Sequence, residues 1–269
     1  MGATVISSEL RISIYDNAFK SLSGPYVGNN YFRTRMLEFR LQQMLLRETF
    51  SRQYRHALEL GCGIGYKALQ MTRFAQVVDG LDIGDPYHGF VADESAVVIG
   101  NRIFREIGCS QVNLVSSDFS DYLLKHPAAY DLIYSDYVLE HVPDLVALLS
   151  AVYVALEKDG IFMSVVPNTH DALIQLALEN MQPSLRGIAR VIKGYVKQLL
   201  GGSKRHPRFT PMGIFVPVPH SEFISDFRKQ FEVYRLENYV NPMIEAGLVV
   251  EAVVPTREHA YTIVCRKPK

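Results

Sequence analysis

The sequence predicts an α/β fold: a doubly wound, mostly parallel sheet of seven strands with helices on both faces. Three observations lead there. Short apolar runs recur at 56–61, 77–83, 112–117, 130–136, 160–166, 248–254 and 260–266, giving seven strand-like segments. Helical stretches at 65–74, 93–108, 144–157 and 235–246 stand between them. Alternation of this kind is the mark of strand–helix–strand units that build a parallel sheet. A length of 269 residues suits one large domain with an elaboration.

Taken in order, the segment 29–54 places Tyr31, Phe32, Met36, Phe39, Leu41, Met44, Leu45 and Phe50 among charged residues, an amphipathic helix leading into the core. Residues 1–53 are therefore read as an N-terminal helical cap. The alternating core runs over 54–167, from HALELG through VVDGLDI, VNLVSS and YDLIYSD to GIFMSVV. The pattern breaks after Pro167. Residues 168–222 carry helical stretches and the Gly/Pro-rich run GGSKRHPRFTPMGIFVPVPHS, too long for an ordinary connection and expected to be an inserted lid on the substrate side. Residues 223–269 complete the core with a helix and the runs LVVEAVV and AYTIVCR, joined by a turn containing Pro255.

Composition narrows the function classes. Lys and Arg number 28 against 28 Asp and Glu, and 48% of residues are hydrophobic, a balance that argues against a nucleic-acid-binding module or a disordered chain. No apolar run reaches the roughly 18 residues of a membrane span. The opening MGATVISSELRISIYD lacks a basic stretch followed by an apolar one, so a soluble, cytoplasmic protein is expected. Cys62, Cys109 and Cys265 are far apart and in no C-x-x-C pair, which points to neither a disulfide framework nor a zinc site.

The sharpest local signal is Glu59-Leu60-Gly61-Cys62-Gly63-Ile64-Gly65, placed where a strand should turn into a helix. Glycines there permit a tight turn and close approach of a ligand. The spacing G-x-G-x-G departs from the dinucleotide fingerprint G-x-G-x-x-G, which counts against a nicotinamide or flavin cofactor. Twenty-one residues beyond Gly61, at the end of the next strand, Asp82 offers a carboxylate to the hydroxyls of a ribose. Ser117-Asp118-Phe119 follows the third strand and sets a carboxylate and a ring where an adenine would be bonded and stacked; Asp118 also reads as a plain helix cap.

These segments, with Tyr130-Asp131-Leu132-Ile133-Tyr134-Ser135-Asp136-Tyr137-Val138-Leu139-Glu140-His141-Val142 and A-L-E-K-D-G-I-F before the fifth strand, resemble class I S-adenosylmethionine-dependent methyltransferases of the type 11 kind. The likeness covers residues 54–167 in order and implies the Rossmann-like methyltransferase fold, with S-adenosyl-L-methionine as cofactor. By that resemblance Glu59, Gly61, Cys62, Gly63 and Gly65 hold the methionine part, Asp82 and Ile83 the ribose, and Asp118 and Phe119 the adenine. Ser135 lines the cofactor near its methyl group.

Methyl transfer from a sulfonium is an in-line displacement, so the protein supplies orientation and, where the nucleophile must lose a proton, a base. No metal is expected. His141, just past the fourth strand, and His220, in Val218-Pro219-His220-Ser221-Glu222, are the candidate bases; Asp136 and Tyr137 are candidate substrate contacts. The tail resembles methyltransferases of the same family that act on sugars, which implies O-methylation of a small molecule or glycan precursor. A quinone or secondary-metabolite methyltransferase and a cofactor-binding scaffold without catalysis are the rivals. Residues 180–221 hold Arg186, Arg190, Lys193, Lys197, Lys204, Arg205 and Arg208 with no Asp or Glu, +7 in a chain whose remainder sums to −7. Residues 186–208 are thus read either as a solvated face or as contacting an anionic surface, a phosphate-bearing acceptor or membrane headgroups.

Overall fold

A computed structural model describes residues 39, 42–44, 46–83, 95–167, 206–209, 215–218, 236–257 and 260–269. In chain order these form α1 (Arg47–Ser51), β1 (Tyr54–Leu60), α2 (Tyr66–Met71), β2 (Ala75–Asp82), α3 (Ala96–Glu106), β3 (Val112–Ser116), α4 (Phe119–Leu124), β4 (Tyr130–Asp136), a 3₁₀ turn (Leu139–His141), α5 (Leu145–Ala155), β5 (Leu156–Pro167), β6 (His206–Phe209), β7 (Phe215–Val218), α6 (Glu237–Glu245), β8 (Val249–Arg257) and β9 (Ala260–Arg266).

Seven strands make one sheet in the order β3-β2-β1-β4-β5-β9-β8. The pairs β1–β2, β2–β3, β1–β4 and β4–β5 are parallel, and β9 alone runs against its neighbours β5 and β8. The order reverses between β1 and β4, and such switch points are where open α/β sheets bind ligands, outside the carboxyl ends of the strands. A strand buried on both faces has no polar side, which is why β1 and β4 read as nearly continuous apolar runs.

Each face of the sheet has its own core. On one, Ala57, Val78, Leu132, Tyr134, Ile161 and Met163 pack against α2, α3 and the aromatic cluster of Phe39, Phe74 and Tyr54. On the other, Leu58, Ile133, Phe162, Ile263 and Cys265 pack against α5, α6 and Leu123. α3 buries Ala96, Val97, Ile99, Gly100, Ile103 and Phe104, the stripe of an amphipathic helix. It ends on Gly108, φ +65°, with Cys109 N–H donating to Phe104 O and Gly108 N–H to Arg105 O. α6 ends in the same Schellman arrangement around Gly247.

Three boundaries differ from the sequence reading. The helix expected over 144–157 stops at Ala155, and β5 begins at once with Leu156 paired to Tyr130. The pairing then jumps to Leu132 against Ile161, so residues 157–160 bulge out, with Asp159 at φ +59° and bonded to Lys267. Pro255 lies inside β8, opposite Tyr261, rather than in a turn; β8 is an edge strand, where a missing N–H is tolerated. α4, between the third and fourth strands, had no counterpart in the alternation. Within the expected lid, β6 and β7 form an antiparallel pair; the rest of 168–222, and most of 1–53, lie outside the described residues.

At the end of the sheet away from the switch-point mouth, a polar network fastens β1, β2 and β4 together. Asp79 accepts from His56 Nε2 at 2.9 Å, from Tyr130 Oη at 3.0 Å and from Asn113 Nδ2 at 3.5 Å. The hydrogen bond to Asp79 raises the His56 pKa above its ordinary 6.5. Burial pushes the Asp79 carboxyl up, but the bonds from His56, Tyr130 and Asn113 outweigh it and leave the carboxyl below its ordinary 3.8. The pair therefore stabilises fully below pH 6.5, weakens as pH rises through the raised histidine value, and is lost to acid only as pH falls through the lowered Asp79 value. In thermal melts of wild type and His56→Gln, the gap in Tm is expected to be widest near roughly pH 5–6 and to narrow towards pH 8.5. A gap constant with pH would reduce His56 to a packing role.

Candidate active site

The glycine turn between β1 and α2 is built on its two neighbours. Gly61 and Cys62 both donate their N–H to Leu81 O, at 2.7 and 3.1 Å, and Gly65 N–H closes the turn on Cys62 O at 2.8 Å. Gly61, Gly63 and Gly65 take φ of +68°, +52° and +80°, a region costly to side-chain-bearing residues. Packing adds a second demand at Gly61: a Cβ there would lie 2.2 Å from Val138 Cγ2, because the turn rests on the segment after β4.

Two carboxylates brace this turn. Asp82 Oδ2, at the end of β2, accepts from Gly63 N at 2.8 Å, and Glu59 Oε2 accepts from Ala68 N at 2.7 Å in the first turn of α2. Glu59 is 4% exposed. Burial raises its pKa to about 8, with Asp136 and Asp82 adding to the rise and the Lys67 ammonium and the Ala68 N–H opposing it. Cys62 is buried beneath the turn, its thiol held well above the ordinary range by burial and by the charges of Glu59 and Asp82.

Asp136 ends β4 and forms an ion pair with Lys67 Nζ, both side chains largely buried. Lys67 also donates to Tyr134 Oη at 3.3 Å, and Tyr134 Oη donates to Gln42 Oε1 at 3.0 Å. Glu59, Lys67, Asp82 and Asp136 thus share the switch-point mouth, three carboxylates with one ammonium. Lys67 and Gln42 escaped the sequence reading. The signal was present: a lysine in the buried first turn of a helix, directly after a glycine turn, needs a partner. Gly100 was missed too. A Cβ on it would stand 2.5 Å from Ile64 O, so its lack of a side chain lets α3 abut the turn.

The other candidates are placed as follows. Ser135 is fully buried on the face of β4 opposite Asp136, in register with Ser164; neither hydroxyl has a partner among the described residues. Tyr137 follows at φ +55°, its N–H donated to Val165 O at 3.0 Å. Ile83 is 56% exposed beside Asp82. Asp118 caps α4, its Oδ1 accepting from Asp121 N at 3.0 Å, and Phe119 packs at the rim of the core. His141 closes the 3₁₀ turn, with its side chain half exposed and Nε2 4.0 Å from Glu140 Oε1; desolvation lowers its pKa below 6.5. His220 and residues 186–205 lie outside the described residues.

A family model described as a methyltransferase domain matches residues 31–200, well over half of the chain. The chain belongs to the methyltransferase-domain family. Its sheet is that of the class I S-adenosylmethionine-dependent methyltransferases. A methyltransferase from Aquifex aeolicus, described as SAM dependent, superposes with a TM-score of 0.54 at 12% identity over 93% of this chain and 97% of its own. Geranyl diphosphate C-methyltransferase from Streptomyces coelicolor A3(2) gives 0.53 at 14% identity, over 99% and 86%. Among curated sequences, ubiquinone biosynthesis O-methyltransferase of Yersinia enterocolitica is 32% identical over 40% of this chain and 41% of its own, and that of Pseudoalteromonas translucida 28% over 45% and 47%. The chain spans less than half the length of these curated relatives in those matches.

Two outcomes are expected of the turn. Gly61→Ala should cost about 3 kcal/mol, from left-handed strain and from the clash with Val138, and lower Tm by roughly 6–12 °C. Val138→Ala in the same chain should recover part of that loss, a coupling read from the double-mutant cycle. For Glu59, an acid whose folded pKa is raised takes stability away as pH climbs from its ordinary 4.5 towards about 8. Glu59→Gln should therefore gain on wild type across that window in thermal melts.

Proposed function

We propose that the chain is an S-adenosylmethionine-dependent methyltransferase that methylates a hydroxyl oxygen of a small molecule or glycan precursor. The observation that carries this reading is the acidic mouth at the switch point: a turn of left-handed glycines between Glu59 and Asp82, with Asp136 beside it. Asp82, with Glu59 able to ionise as a cation enters, suits a ligand that carries a sulfonium and an ammonium, while Asp136 is taken up by Lys67.

When bound, S-adenosylmethionine supplies a methyl group on cationic sulfur, which departs as a neutral thioether. The chain's own tasks are then to bind and to orient. Glu59, Gly61, Cys62, Gly63 and Gly65 hold the methionine part, Asp82 and Ile83 the ribose, Asp118 and Phe119 the adenine, with Ser135 beneath the methyl. Asp136 and Tyr137 face the acceptor. His141, whose lowered pKa keeps the imidazole unprotonated at neutral pH, and His220 are the candidates to take the acceptor's proton.

Oxygen as the methylated atom is favoured by the two curated relatives above, both named as O-methyltransferases. Their place in ubiquinone biosynthesis supports a second reading, in which the acceptor is a quinone precursor. Among the described residues no helix is long and apolar enough to cross a membrane, and the activity is assigned to the cytoplasm. The seven-cation segment 186–208 is assigned to an anionic acceptor or surface.

Calorimetric titration tests the cofactor. Wild type should bind S-adenosylmethionine and S-adenosylhomocysteine, and Asp82→Ala should lose about tenfold or more, since hydrogen bonds to a charged acceptor are worth roughly 1.5–3 kcal/mol each. Unchanged affinity would remove Asp82 from the ribose. Label transfer from methyl-labelled cofactor to hydroxylated metabolites then tests the reaction. Replacing Arg186, Arg190, Lys193 and Lys197 by Gln should raise the acceptor KM or release the protein from anionic liposomes, leaving cofactor affinity in place; if neither moves, the stripe is a solvated face.

A further inference from the structure

The buried chain Gln42–Tyr134–Lys67–Asp136 does more than the cofactor reading requires. Its middle is satisfied: Lys67 Nζ pairs with Asp136 Oδ2 and donates to Tyr134 Oη, which donates to Gln42 Oε1. Its two ends are not. Asp136 Oδ1, an acceptor, and Gln42 Nε2, a donor, are both buried without a partner among the described residues. Gln42 is 0% exposed, and Phe39 beside it packs edge-on against Tyr134 with centroids 5.9 Å apart. Buried polar atoms of this kind are costly unless something completes them.

We propose that Lys67 is a positioning residue for the methyl acceptor: it clamps Asp136 so that Oδ1 receives a hydrogen bond from a neutral hydroxyl on the acceptor, while Gln42 Nε2 donates to an acceptor oxygen. This rests on the methyltransferase reading and names its substrate class. An ammonium so deeply buried is held by its partners rather than by water, so it fixes the carboxylate in one orientation. It is also committed. An anionic reacting group arriving here would meet Asp82 and Asp136, and Lys67, the cation that the described residues place between them and Glu59, is already paired. A hydroxyl suits both ends, because it donates and accepts. Its reacting oxygen keeps a lone pair for the methyl carbon; as the C–O bond forms and the C–S bond breaks, its proton passes to Oδ1, which adds Asp136 to His141 and His220 as a candidate to take it.

The hydroxyl can be aromatic or belong to a sugar, and two probes separate the sources. Phenol and methyl α-D-glucopyranoside are titrated by ligand-observed NMR into the full chain saturated with S-adenosylhomocysteine. Wild type is expected to bind one of them. Asp136→Asn and Lys67→Met should weaken that probe about tenfold, the worth of one charge-assisted hydrogen bond. S-adenosylhomocysteine affinity should stay within about threefold of wild type, because the lost contact belongs to the acceptor. Lys67→Arg, which keeps the charge, should restore most of the probe affinity. A purely structural role for Lys67 would instead lower both affinities together.

Should Lys67→Met melt before the titration, Asp136→Asn and Lys67→Arg decide alone. Binding of S-adenosylhomocysteine with neither probe bound overturns the hydroxyl assignment and leaves the methyltransferase reading standing. Probe binding unaffected by Asp136→Asn, or lost equally in Lys67→Met and Lys67→Arg, overturns the clamp. Wild type that does not bind S-adenosylhomocysteine overturns the cofactor reading and this proposal with it.

Discussion

The close approach of the glycine turn to the segment after β4 is the constraint on which the rest of the molecule depends. A chain leaving β1 must reverse, rest on Val138, donate two hydrogen bonds to Leu81 O and enter α2 within five residues. Only a backbone bare of side chains at Gly61 can do so against Val138 Cγ2. Everything in the mouth inherits its place from that contact. Asp82 reaches Gly63 because β2 ends level with the turn, and Asp136 reaches Lys67 because β4 lies against β1 on the other side.

Among the described residues, buried charge stands in this mouth and at the opposite end of the sheet, and the two ends manage it differently. At the far end, Asp79 gathers three donors and its carboxyl is pulled below the ordinary range. In the mouth, Glu59 has one backbone N–H and the shared influence of a lysine, and burial wins. The first arrangement satisfies its carboxylate within the protein. The second leaves carboxylate capacity for a ligand, as buried groups at functional sites commonly do.

Much of this was legible in the chain. All seven strands of the main sheet could be placed from apolar runs, since a doubly covered parallel strand cannot hide its composition. The turn, Asp82 and the segment through His141 could be found because glycine at φ above zero and carboxylates at strand ends leave spacing signatures. What could not be read was tertiary. The place of Lys67 directly after the glycine turn hints at a buried lysine, but its partner emerges only when β4 is laid beside α2. The stop of α5 at Ala155 is set by pairing of Leu156 with Tyr130, and Pro255 sits in a strand because β8 is at the edge; both are facts of sheet order. Gly100 reads as a weakness in a helix until Ile64 O is seen 2.5 Å from where its side chain would stand.

The thiol of Cys62 has a chemical consequence of its own. Sulfur is the strongest nucleophile among the side chains, but only as thiolate. A turn proposed to hold an electrophilic methyl group carries such a sulfur within it. Burial, with Glu59 and Asp82 close by, suppresses the thiolate, and the proton on sulfur keeps that cysteine from competing with the intended acceptor. Burial, more than the two neighbouring carboxylates, is thus what keeps this sulfur from acting as a nucleophile inside the turn.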